Sequence, residues 1–91
     1  MARFYAIAER GNGTTWLLSF PGLPGLFSAA DDAAEIVTQA TDALGTAVDS
    51  GLALPLSVEE GAEPPADLSE FEQPTMVVLI PFVTPAKTQV A

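Results

Sequence analysis

The sequence predicts an α+β domain: a three-stranded antiparallel meander, one main helix on one face of the sheet, and a late fourth strand. Three observations support this prediction. A glycine-rich hairpin joins two β-prone segments near the N terminus, a capped amphipathic segment begins at Asp32, and the strongest strand signal, "TMVVLIPF", lies at residues 75–82. A chain of 91 residues has room for one domain. We place it at residues 1–83 and expect residues 84–91 to be a tail or linker.

The first two strands are predicted at about residues 3–9 and 15–20. The segment "RFYAIAE" is aromatic and β-prone, and the glycines of "GNG" after it suit a tight hairpin. In the returning strand one face is apolar, formed by Trp16, Leu18 and Phe20. This alternation predicts a sheet with one covered side and places Trp16 in the core.

The stretch "FPGLPGLF" contains two proline-glycine pairs, Pro21-Gly22 and Pro24-Gly25. Proline fixes φ near −65°, and glycine accepts a positive φ, so each pair predicts a turn. The two turns would carry the chain from the second strand into a brief third strand at about residues 26–29.

The helix is predicted at about residues 33–50. Asp32 and Glu35 have the spacing of a capping pair, in which each side chain accepts a hydrogen bond from a backbone amide of the first turn. An apolar stripe follows at helical spacing: Ala33, Ile36, Val37, Ala40, Leu44, Ala47 and Val48. Gly45 falls on the polar side, and Gly51 is placed to end the helix in the left-handed conformation.

After the helix, a long loop at residues 52–74 is acidic and interrupted by prolines, and we expect it to pack Leu56, Leu68 and Phe71. The fourth strand, at about residues 75–83, is apolar on both faces, which is typical of a strand covered by a helix on one side and by something else, such as a partner subunit, on the other. Because the core is small and this strand is doubly apolar, we expect a homodimer or homotetramer.

Composition excludes several classes of function. Twelve acidic residues oppose Arg3, Arg10 and Lys87, a net charge of −9, so phosphate would repel the chain and we expect no direct nucleic-acid binding. A basic partner would be attracted, although an acidic surface can also simply maintain solubility. The chain has no cysteine or histidine and no apolar run of membrane-spanning length, so we expect a cytoplasmic protein without membrane contact.

No catalytic or metal-ligating set is predicted, and no cofactor. Glu35, Asp42 and Asp49 recur every seven residues, on the side of the helix opposite its apolar stripe. Such a stripe is typical of a solvated helix face rather than of a metal site, which needs acids that converge. We therefore expect no enzymatic activity.

The order of these elements and the motif Phe20, Pro21, Leu23, Pro24 and Gly25 are similar to the N-terminal domain of HicB-family antitoxins. The similarity extends from Arg3 to about Phe82. It departs from the family pattern at Gly22, where an acidic residue is usual, and at Leu26, where a polar residue or cysteine is usual. Nine residues follow Phe82, so the DNA-binding part that is usual after this domain is not expected in this chain, which is either a single-domain member or one that has lost its C-terminal half.

The resemblance implies a partial RNase H-like β-β-β-α-β fold without its active site, and a function in a bacterial type II toxin-antitoxin system. The expected partner is a small basic HicA-like toxin that cleaves mRNA. Two acidic groups are candidate contact surfaces: Glu35, Asp42 and Asp49 on the helix, and Glu59, Glu60 and Glu63 in the loop. The alternatives are a stand-alone structural or ligand-binding homo-oligomer and, third, an RNase H-like nuclease.

Overall fold

The computed structural model describes residues 2–71 and 73–83, so the predicted tail at residues 84–91 lies outside the described part of the chain. The main elements follow in the order β1 (Ala2–Arg10), β2 (Trp16–Ser19), β3 (Phe27–Ala30), α1 (Ile36–Asp49) and β4 (Thr75–Phe82). The α+β class is confirmed. The ends of the strands differ from the predicted ones by at most one residue, and the first turn of the predicted helix, Ala33–Glu35, is a 3-10 turn.

The four strands form one antiparallel sheet in the order β3-β2-β1-β4. The long strands β1 and β4 pair along eight positions, from Ala2 opposite Phe82 to Glu9 opposite Thr75. The shorter β2 pairs with only the second half of β1, Ile7–Arg10. The late strand therefore lies beside the first, at the sheet edge opposite β3.

The core lies between α1 and one face of the sheet. The helix buries Ile36, Ala40, Ala43, Leu44 and Ala47. The buried sheet residues that pack in the same core are Phe4, Ala6, Ala8, Leu18, Ala30, Ile80 and Phe82. The rings of Phe4 and Phe82 meet edge to face at 6.4 Å between centroids. Because many of these side chains are alanines, the helix backbone can lie close to the sheet.

Several predictions for the core need correction. Ala33 and Val37 of the predicted stripe are exposed, whereas Ala43, which was not included, is buried. The 3-10 geometry of the first turn shifts its side chains relative to an α-helix, which moves Ala33 off the buried face. Gly45 is half-buried rather than on a polar side, and a Cβ there would contact the Phe82 ring.

Trp16 is only half-buried, so its predicted place in the core is correct in part. It packs against the edge of the core, at the position on β2 opposite Arg10. The guanidinium carbon of Arg10 lies 5.6 Å from the Trp16 ring centroid, within range of a cation–π contact. The Arg10 Nε also donates to the Gly13 carbonyl at 2.8 Å. This hydrogen bond holds the guanidinium at the hairpin.

The helix ends in a Schellman motif, as Gly51 predicted. The Gly51 N–H donates to the Val48 carbonyl and the Leu52 N–H donates to the Ala47 carbonyl, and Gly51 has φ +87°. Beyond the motif, Leu54 packs against the core, but Leu56 is exposed, contrary to the prediction. Leu68 and Phe71 are half-buried, and neither belongs to the partly buried residues that pack against the core cluster.

Within residues 2–71 and 73–83 of the single chain, α1 covers one face of the fourth strand, and cover of the other face by a partner subunit stays a prediction. On the side facing α1, Ile80 and Phe82 are buried, but on the opposite side Leu79 and Pro81 are exposed. The strand lies at the edge of the sheet. Within residues 2–71 and 73–83, its one strand partner is β1.

Candidate binding surface

The Pro-Gly corner, residues 20–26, consists of two successive type II turns that share Leu23. The Leu23 N–H donates to the Phe20 carbonyl at 3.0 Å, and the Leu26 N–H donates to the Leu23 carbonyl at 3.1 Å. Gly22 and Gly25 occupy the third position of each turn with φ of +85° and +87°. The two predicted turns are confirmed.

The corner contributes two side chains to the core. Phe20 and Leu23 are buried in the core, whereas Pro24 and Gly25 are exposed. A Cβ on Gly22 would lie 2.7 Å from the Cβ of Pro55, so the corner also contacts the segment that follows the helix. None of its residues is ionisable. The motif therefore serves as a structural bend that orients β3 and the start of the helix.

The N terminus of the helical region is capped by Asp32 but not by Glu35. The Asp32 carboxylate accepts from the Ala34 N–H at 3.0 Å. Glu35 makes no capping hydrogen bond through its side chain, contrary to the prediction, because it lies where the 3-10 turn passes into α1. Its carboxylate is exposed and remains part of the outward surface of the helix.

Glu35, Asp42 and Asp49 form the acidic helix stripe, and all three are exposed. Successive members are about 10 Å apart along the helix axis, since seven residues rise about 1.5 Å each. No lysine or arginine occurs between Asp31 and Asp49, and the last turn of α1 has no basic residue. The stripe therefore presents its negative charge to solvent.

The acidic loop, defined by Glu59, Glu60 and Glu63, is engaged internally at two of its three residues. The Glu59 carboxylate accepts from both the backbone N–H of Arg3, at 2.9 Å, and the Arg3 Nε, at 2.6 Å. These hydrogen bonds from Arg3 lower the pKa of Glu59 to about 2. The contact places the 3-10 turn Val58–Glu60 beside the half of β1 that β2 leaves unpaired.

Glu60 completes a capping box with Ser57 that the sequence reading missed. The Glu60 carboxylate accepts from the Ser57 N–H at 2.9 Å, and the Ser57 hydroxyl accepts from the Glu60 N–H at 3.3 Å. The spacing of "SVEE" is the signal that could have identified this box. Ser57 is buried, whereas Glu63 is exposed. The loop is therefore held by local bonds and by Arg3.

The described residues offer no converging acidic site. Residues 2–71 and 73–83 contain no group of three or more acidic side chains placed to hold a metal ion. An open depression of about 370 Å³ lies at the β1–β2 hairpin, lined by Arg10, Gly11, Asn12, Thr15 and Leu17, and it includes none of the predicted site residues. In the same described ranges, no helix has the length and apolar character needed to cross a membrane.

Comparison with protein-family models, with curated proteins and with solved structures found no match to this chain. The similarity to HicB-family antitoxins therefore rests on the motif at the Pro-Gly corner and on the order of the elements. The RNase H-like topology stays a prediction.

Proposed function

We propose that this chain is a non-catalytic binding domain of the antitoxin type, which neutralises a small basic HicA-like ribonuclease in the bacterial cytoplasm. The acidic helix stripe is the proposed contact surface. A basic toxin that holds RNA phosphates has a surface complementary to a row of carboxylates, and opposite charges accelerate association.

The observation that carries the proposal is the position of Asp49. The C-terminal end of a helix has partial negative charge, so a carboxylate there is unfavourable by roughly 0.3 to 1 kcal/mol. Asp49 is the last residue of α1, it is exposed, and no basic residue of that turn offsets it. A carboxylate that destabilises its own helix is expected at a position where it contacts a cationic partner.

The internal bonds of the acidic loop support the choice of the helix over the loop. Glu59 is paired with Arg3, and Glu60 caps its own turn. A partner that used these carboxylates would have to compete with bonds that already exist within the chain. Asp42 and Asp49 have no such hydrogen bond or ion pair among residues 2–71 and 73–83.

Two charge-matched triple variants test the proposal. Glu35→Gln with Asp42→Asn and Asp49→Asn removes the helix charges, and Glu59→Gln with Glu60→Gln and Glu63→Gln removes the same charge from the loop. Binding to a purified, catalytically inactive HicA-type toxin is followed by surface plasmon resonance. We expect the helix variant to lower the association rate constant at least about tenfold, and the loop variant to lower it less.

The opposite ranking of the two variants would assign the contact to the loop. If neither variant alters binding, the acidic surface only maintains solubility, and if the unaltered chain binds no toxin, the homo-oligomer alternative takes precedence. In the helix variant, Asp49→Asn removes an unfavourable charge from the C-terminal end and Glu35→Gln removes a favourable one from the N-terminal end, so we expect little net change in stability. Thermal unfolding of both triple variants, measured beside binding, separates lost contact from lost folding.

The third alternative, a nuclease, has a separate test. We expect no cleavage when the chain is incubated with RNA or DNA and magnesium or manganese. Metal-dependent cleavage that is abolished by Glu35→Gln or Asp42→Asn would show that the helix stripe is catalytic after all.

A further inference from the structure

We propose that two copies of this chain associate through their β4 strands, which pair antiparallel and extend the two sheets into one sheet of eight strands. The inference is independent of the proposed toxin, because it concerns the uncharged edge strand β4 and not the acidic helix stripe.

The edge position of β4 is the first argument. Its eight residues pair with β1 in an unbroken register, so the strand is regular along its whole length. A strand paired on one side directs alternate N–H and carbonyl groups away from its neighbour, where they can pair with another strand. The opposite edge, β3, has four residues and offers a much shorter template.

The chemistry of the strand is the second argument. Natural edge strands are protected by charged side chains, by bulges or by proline, yet Thr75–Phe82 contains no charged residue. Pro81 removes one donor near the end and leaves Met76–Ile80 uninterrupted. Leu79 is 40% exposed and Val83 is 71% exposed, so apolar surface borders the strand. Pairing would bury this surface.

The charge distribution indicates that the strand pairing with β4 comes from a second copy of the chain. A cationic partner has no carboxylate to contact on β4, whereas another β4 matches it in length, polarity and neutrality. Two molecules that each carry −9 repel each other, and they can approach closely only where both surfaces are neutral. An antiparallel pair of identical strands closes with two-fold symmetry and forms no open chain of copies.

The symmetry has a geometric consequence that guides the test. The two-fold axis that relates antiparallel neighbouring strands is perpendicular to the sheet, so both α1 helices lie on the same face of the dimer. Residues near the middle of β4 then lie close to their own copies. A lysine at Leu79, on the face opposite α1, would bring two ammonium groups near the axis and oppose pairing.

A matched pair of variants distinguishes two modes of association: pairing of β4 edges, and packing of one sheet face on another. Leu79→Lys alters the edge strand, and Leu17→Lys makes the same change on the same face at a strand inside the sheet; the two leucines are 40% and 45% exposed. Analytical ultracentrifugation measures the mass of the full chain from micromolar to millimolar concentration. We expect a dimer for the unaltered chain and for Leu17→Lys, and a dimer Kd raised at least about tenfold for Leu79→Lys.

A monomer at every concentration would overturn the proposal, as would a dimer that Leu79→Lys leaves intact. If Leu17→Lys also disrupts the dimer, the copies pack face to face instead. Hydrogen exchange on the unaltered chain tests the same point without any variant. The amides of Met76–Ile80 that point away from β1 should become protected as concentration rises, and exchange that is independent of concentration would contradict edge pairing.

Discussion

Gly22 and Gly25 have the same role in consecutive turns, yet a side chain would have different effects at the two positions. Both have positive φ, so Gly→Ala at either one costs about 1 to 2 kcal/mol for the left-handed backbone. A Cβ at Gly25 would meet nothing within 4 Å, whereas at Gly22 it would lie 2.7 Å from Pro55. We expect Gly22→Ala to be the more destabilising by a further ~1 to 3 kcal/mol, measured by urea unfolding. Equal losses would mean that Pro55 moves away freely.

At Gly45, unlike at Gly22 and Gly25, replacement by alanine should stabilise the fold. It lies inside α1 with a helical backbone, and a Cβ there would meet the Phe82 ring at 4.0 Å, an ordinary van der Waals distance. We expect Gly45→Ala to stabilise the fold by about 0.5 to 1 kcal/mol, because alanine loses less backbone entropy than glycine in a helix. Gly51→Ala is the control: its left-handed φ predicts a loss of stability instead. Destabilisation by Gly45→Ala would show that the ring at Phe82 cannot tolerate the methyl group.

The same residues show which contacts a sequence can predict. The two turns and the end of the helix were predicted because proline, glycine and their immediate neighbours determine local φ angles. The contact between Gly22 and Pro55 was not predictable, since it joins segments far apart in the chain. Trp16 was placed in the core by alternation alone, and alternation does not reveal that Trp16 lies at the end of its strand, where coverage by the helix is incomplete.

At the scale of elements, the Arg3–Glu59 contact holds the turn Val58–Glu60 beside β1, and its strength depends on pH. The pKa of Glu59 falls from 4.5 to about 2 in the folded chain. A lowered folded pKa means that the contact stabilises the fold above pH 4.5, and that this contribution is lost as the pH falls toward 2. Both side chains are exposed to solvent, at 47% and 42%, so the effect is modest and is screened by salt.

The test compares Glu59→Gln with the unaltered chain. We expect the variant to melt at a lower temperature near neutral pH, and the difference in Tm to vanish as the pH approaches 2. Glu63→Gln, in the same loop, is the matched control and should show a smaller difference. A difference between Glu59→Gln and the unaltered chain that persists at the lowest pH would show that the contact is not carried by the charge of the carboxylate.

The elements themselves were largely predictable, but their environment was not. Periodicity and turn residues located all four strands and the helix. The apolar run of β4 predicted a strand, but apolar residues on both faces do not reveal what covers each face, and within the single chain α1 covers one of them. The candidate site was predictable in part: the acidic spacing on the helix was visible in the sequence, whereas the partner of Glu59 was not.

For the whole molecule, the net charge of −9 predicts opposite salt dependences for the two proposed interactions. The Debye length shortens from ~30 Å at 0.01 M to ~8 Å at 0.15 M salt. Added salt should slow association with a basic toxin and should strengthen pairing of two acidic copies, because it screens attraction in the first case and repulsion in the second. Binding kinetics and sedimentation over the same salt series measure both. If both interactions respond in the same direction, one of the two surfaces has been misassigned.

Trp16 is the one tryptophan in the sequence, so the intrinsic tryptophan fluorescence of the chain comes from a single place. That place is the β1–β2 hairpin, where the Arg10 guanidinium lies over the indole ring. The indole is half-buried on β2, which β1 separates from the β4 edge. Unfolding would expose the indole to water and shift its emission to longer wavelength, while edge pairing two strands away would leave the emission nearly constant. A single optical signal can therefore report the folding of the protomer at concentrations where association is also under way.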